Sequence, residues 1–107
     1  MADPASRVSD AFRAFMSEAS AHAQAWSSMV ERLAESSALD KKTSALAYLA
    51  VLAALRLEGG IPFHVHAARQ AGASRAEVVS AVLIGLPAAG LGATQVLPAA
   101  IAAYDVA

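Results

Sequence analysis

Apolar side chains recur along the first third of the chain at Phe12, Phe15, Met16, Ala19, Ala23, Trp26, Met29, Val30 and Leu33. Steps of three and four residues put them on one face of an α-helix, and Ser9 or Asp10 is placed to cap its first turn. The other face carries Arg13, Ser17, Glu18, Gln24, Ser28, Glu31 and Glu35 and is therefore solvated. The apolar stripe needs a surface to lie on, in its own domain or on a neighbouring chain.

A second helix is expected in "ESSALDKKTSALAYLAVLAALRLEGG", with Asp40 as its N-cap and Thr43 or Ser44 as competing starts. From Ala45 to Leu55 it is apolar on every side over only about three turns, which suits a helix buried all round. A domain of 107 residues has little interior in which to enclose such a helix. Subunits are therefore expected to cover one another in an obligate oligomer.

Gly59 and Gly60 end that helix, and Pro62 opens a third, expected from about Pro62 to Ala71 with Gly72 as its left-handed C-terminal residue. "SRAE", Ser74 to Glu77, reads as a capping box for a fourth helix from Arg75 to about Leu86. A fifth is expected from about Ala93 to Tyr104. No charge occurs between Val78 and Tyr104, a run longer than the roughly 20 residues that cross a bilayer. Pro87, Gly90, Gly92 and Pro98 interrupt it, and "LPAAGLGATQ" holds two polar side chains. The run is therefore read as two buried helices joined by a tight turn, with no membrane span.

An alanine-rich composition with 6% aromatic residues agrees with an all-α class, and no shift in composition divides residues 1–107 into more than one domain. The 8 basic and 9 acidic residues are scattered without a basic stripe, so nucleic acid is not an expected partner. The absence of cysteine excludes disulfides, thiolate metal sites and thiol chemistry by this chain. "MADPASRVSDAF" lacks the basic and apolar regions of a secretory signal, and a cytoplasmic location is expected.

Candidate chemistry gathers in "LEGGIPFHVHAARQAGA", Leu57 to Ala73. His64 and His66, two positions apart on a helix, point about 200° away from each other and cannot share one metal ion. Further ligands would have to come from His22 or Glu58, so neither a metal nor a cofactor is expected. The helical neighbours of His64 are Ala67, Ala68 and Ala71, whereas those of His66 are Arg69, Gln70 and Ala73. His64 is thus expected to face inward and His66 outward. Two roles stay open for His64. One is a core histidine satisfied by a backbone carbonyl; the other is an imidazole whose pKa is lowered by the helix dipole, leaving a neutral base or donor. Glu58 is either a partner carboxylate or a surface helix end, Arg56 neutralises the end of the second helix, and Glu77 serves its cap.

The stretch from Leu39 to Asp105, about two thirds of the chain, resembles the carboxymuconolactone decarboxylase and alkyl hydroperoxidase D-like family. The "LD-K-T" entry, "FHVHAARQAGASRAEV" and the small-residue turn "GLGA" carry the resemblance. It implies a helical bundle, here of about five helices, assembled as a trimer or as a hexamer built from dimers. The peroxidase branch carries Glu-x-x-Cys-x-x-Cys-x-x-x-His. His64 matches its histidine, but Gly60, Leu57 and Ala54 stand where the two cysteines and the glutamate would be. A disulfide-cycling peroxidase is therefore excluded. The decarboxylase branch uses a histidine in the same helix. By that likeness His64 would be the acid or base, while His66 or Arg69 would hold a carboxylate. The implied function is a cysteine-less member that binds a small molecule or acts on an unassigned substrate. If it is an enzyme, a decarboxylating lyase is expected; a structural subunit is the remaining alternative.

Overall fold

The computed structural model describes residues 8–106, and every regular element among them is helical. The amphipathic first segment is two helices, α1 (Asp10–Glu18) and α2 (Ser20–Ser36), where one was expected. The break is at Ala19, whose φ of −135° and ψ of 53° leave the helical region. On an unbroken helix Phe12 and Trp26 would lie roughly 21 Å apart along the axis. Their ring centroids are instead 5.4 Å apart, in an edge-to-face cluster that Phe15 completes. The break therefore lets α1 fold back so that three rings of the stripe pack edge to face. Ser9 is the cap, its Oγ accepting the Phe12 N–H at 3.1 Å.

Helix α3 (Lys41–Ala54) starts at Asp40, whose Oδ1 accepts the Thr43 N–H at 2.7 Å. It closes with Leu57 N–H donating to Leu52 O and Arg56 N–H to Ala53 O, the paired bonds of a Schellman end. A 3-10 turn, Glu58–Gly60, leads into α4 (Ile61–Gln70), where Pro62 occupies the first turn. The end of α4 repeats the motif: Ala73 N–H donates to Ala68 O and Gly72 N–H to Arg69 O, with Gly72 at φ 98°. Helix α5 (Arg75–Leu83) opens in the expected capping box, with both reciprocal Ser74 and Glu77 bonds present.

The uncharged run differs from the expected pair of helices. After α5 come a bend, the short α6 (Leu86–Ala89), Gly90 at φ 76°, a 3-10 segment Leu91–Val96, and α7 (Leu97–Asp105). A helix begun at Ala93 would place Pro98 in its interior, where the ring clashes with the preceding turn. Starting at Leu97 puts Pro98 in the first turn, where its missing N–H costs nothing.

Helix α3 packs against α4 and α5, and α4 against α7. Leu49 and Ala53 of α3, Ile61 and Val65 of α4, Val78 and Val82 of α5, and Val96 are sealed from solvent. These aliphatic side chains let the helices approach closely, and among the described residues no aromatic side chain is fully buried in this core. The end of α7 is tied down: Tyr104 Oη donates to Ala73 O at 2.8 Å, and Arg75 meets both carboxylate oxygens of Asp105. Among the described residues no helix is long and apolar enough to cross a membrane.

Within one chain α3 is not enclosed all round. Its Leu49, Leu52 and Ala53 side faces the core, while Tyr48, Val51 and Leu55 are 45%, 52% and 62% exposed. The neighbouring helices α4 and α5 cover only part of its circumference.

Candidate functional site

The inward line of α4 is Ile61, Val65 and Ala68, at steps of four and three. His64 stands on one shoulder of that line, partly buried. Tyr48 of α3 meets it with ring centroids 4.5 Å apart, and Phe63 meets it edge-on at 5.1 Å. Gly60 lies close by: a Cβ built on it would come 3.4 Å from Leu52 Cδ1 and 3.9 Å from His64 Cδ2.

The imidazole makes no hydrogen bond with any described residue. No buried side-chain nitrogen or oxygen lacks a partner among those residues, so both ring nitrogens of His64 reach solvent. It is therefore not a core histidine satisfied by a carbonyl. Burial lowers its pKa below the ordinary histidine range. The cause is desolvation. At neutral pH the side chain is a neutral imidazole with one donor and one acceptor facing outward.

His66 does not turn fully outward. It is partly buried like His64, because α4 is flanked by α3 on one side and α7 on the other. No hydrogen bond or ring contact to a described residue engages it. Arg69 lies across the end of α7, its Nη1 donating to Tyr104 O at 2.8 Å and Val106 O at 3.0 Å and its guanidinium over the Tyr104 ring. Glu58 is exposed in the 3-10 turn and forms no ion pair with a described residue. None of these three bonds to His64. Glu77 is held by its cap and by Lys42 at 2.9 Å. Among the described residues no three acidic or histidine side chains gather as a metal-binding set.

Tyr48 is the neighbour that the reading of the sequence missed. The available signal was its place as the one ring in an otherwise aliphatic α3. The structure also holds an open groove of ≈ 610 Å³ between α3 and α5, walled by Leu46, Ala50, Ala81 and Ile84 with Thr43 and Ser80 at its edge. His64 does not line it.

Comparison with known proteins adds one match. A model of the carboxymuconolactone decarboxylase family matches residues 20–103, from the start of α2 to near the end of α7. No curated protein and no solved structure matches the chain. With no thiolate to attack a peroxide and no second thiol to resolve the product, the chain is not a thiol peroxidase. A match over most of its length, on an all-helical fold, shows that the chain belongs to the carboxymuconolactone decarboxylase family.

Proposed function

We propose that this cysteine-less protein binds a small apolar or carboxylated molecule, as a binding protein or as an enzyme of unassigned substrate, through His64. The supporting observation is the state of that side chain: desolvated, neutral, flanked by Tyr48 and Phe63, with both nitrogens unclaimed. Such an imidazole can give one hydrogen bond and take another while the two rings cover apolar parts of a ligand. A thermal-shift screen tests this. A hit raises Tm with ligand concentration in the wild type and loses that effect in His64→Ala. A hit that ignores the substitution removes His64 from the site.

A decarboxylating lyase is the second reading, favoured by the freedom of His64 to exchange a proton with solvent. In that reaction the bond between substrate and carboxylate breaks and its electron pair enters a dienolate. CO2 leaves, and the protonated fraction of His64, reloaded from solvent, delivers the proton that completes the product. Of the two residues named for the carboxylate, His66 would be the free one, since Arg69 already serves the α7 carbonyls. Purified protein should then convert a carboxymuconolactone, and His64→Ala should abolish turnover. Failure of both assays would leave a structural subunit.

The working form is proposed to be a homo-oligomer, a trimer or a hexamer. Tyr48 and Val51 leave apolar area open on the outer face of α3, which a second copy would cover.

A further inference from the structure

Arg56 stands at φ 59° at the end of α3, a left-handed conformation that long L side chains rarely hold. The end of α4 makes the same pair of closing bonds with Gly72 at the corresponding position. The turn alone is thus satisfied by glycine, and at Arg56 a side chain is kept at the expense of backbone strain.

That side chain has a fixed seat. A Cβ on Gly92 would collide with Nε, Cζ and Nη2 of Arg56, so the guanidinium lies directly against the backbone of the 3-10 segment. It forms no ion pair or hydrogen bond with a described residue, although Glu58 is only two positions on. Arg69 and Arg75, by contrast, are both engaged. The residues beside Arg56 and Gly92 in the chain are exposed leucines: Leu57 at 50%, Leu55 at 62% and Leu91 at 80%.

We propose that Arg56 is the anion-binding group of a second small-molecule site, which takes an organic acid with an apolar body. The guanidinium fork pairs with the carboxylate, and the leucines cover the hydrocarbon part. Seating on Gly92 removes rotamer freedom before the ligand arrives, so less is lost on binding. The site does not depend on His64 and stands if the His64 reading fails.

The competing role is a latch, in which Arg56 merely pins α3 to the 3-10 segment. Arg56→Gly separates the two, because it relieves the left-handed backbone and deletes the guanidinium together. Hexanoate and benzoate are the probes, titrated calorimetrically and by thermal shift, with hexanol and inorganic phosphate as controls. The wild type should bind both acids saturably and neither control. Arg56→Gly should lose roughly tenfold or more in affinity with an unliganded Tm equal to or above that of the wild type. His64→Ala should bind the acids as the wild type does. No saturable binding by the wild type, unchanged binding by Arg56→Gly, or loss of binding in His64→Ala would each overturn the proposal. A clear fall in the Tm of unliganded Arg56→Gly would assign Arg56 to the latch and overturn it as well.

Discussion

The ring of Tyr48 on α3 lies 4.5 Å from that of His64 on α4, tilted by 45°. It takes water away from one face of the imidazole, and desolvation is what lowers the His64 pKa. Tyr48→Ala should therefore raise that pKa toward the ordinary value of about 6.5. An NMR titration of the His64 ring protons in both proteins measures the difference. An unchanged pKa would mean that the backbone and Phe63, not Tyr48, exclude the water.

The same shift links stability to pH. The unfolded chain protonates His64 at the ordinary value, about 6.5, whereas the folded chain resists until the pH is lower. Between those two values the unfolded state binds more protons, so stability falls as the pH drops through this window. His64→Gln removes the linkage. From pH 7 to 5 the Tm of the wild type should fall more than that of His64→Gln, while His22 and His66 remain in both. Parallel curves would show that the folded protein does not penalise the charged form.

The capping box at α5 offers a test without titration. Ser74 Oγ accepts the Glu77 N–H at 3.1 Å, and alanine at an N-cap costs about 1 kcal/mol whereas glycine recovers most of it relative to alanine. Urea unfolding should therefore rank wild type above Ser74→Gly and Ser74→Gly above Ser74→Ala. At acid pH the box weakens for a second reason. The backbone bond to Ser74, followed by the contact with Lys42, holds the Glu77 carboxyl below its usual range. Its contribution is present above the ordinary glutamate value and is lost as the pH falls through the lowered one.

What could be read from the sequence was local. Asp40, Ser74 with Glu77, Pro62 and Gly72 each fix a terminus by chemistry confined to a few neighbouring residues, and the structure has all four in those roles. The break at Ala19 was hidden because alanine favours helix and the cause is a contact between Phe12 and Trp26, fourteen positions apart. The environment of His64 was only half legible. Its position on α4 followed from helical spacing, but Tyr48 reaches it from another helix, and periodicity along α4 carries no information about that neighbour. Arg56 stands at the end of α3 as expected, but a left-handed φ at a non-glycine residue leaves no mark in composition.

Two glycines predict opposite outcomes from the same substitution. A Cβ on either Gly72 or Gly85 meets nothing within 4 Å, so crowding plays no part. Gly72 has φ 98°, and alanine there should cost on the order of 1–2 kcal/mol from backbone strain alone. Gly85 has φ −87°, which alanine adopts freely, so Gly85→Ala should be neutral or add roughly 0.4–1 kcal/mol by restricting the unfolded chain. Equal effects in chemical denaturation would refute the backbone argument.

The last prediction concerns the open side of α3. Burying apolar area contributes roughly 25 cal/mol per Å², and Val51 sits on the open face of α3 between Tyr48 and Leu55 with half its surface exposed. On a face covered by a second copy, a carboxylate at Val51 would be stripped of water without a partner, at a cost that far exceeds what the same change costs on a free surface. Val51→Glu should therefore shift sedimentation from assembly to monomer at micromolar concentration. The urea midpoint of the wild type should rise with protein concentration, because only the folded state assembles, and that dependence should vanish in the variant. A wild type that sediments as a monomer, with a midpoint independent of concentration, would overturn the oligomer and leave α3 exposed in the working protein.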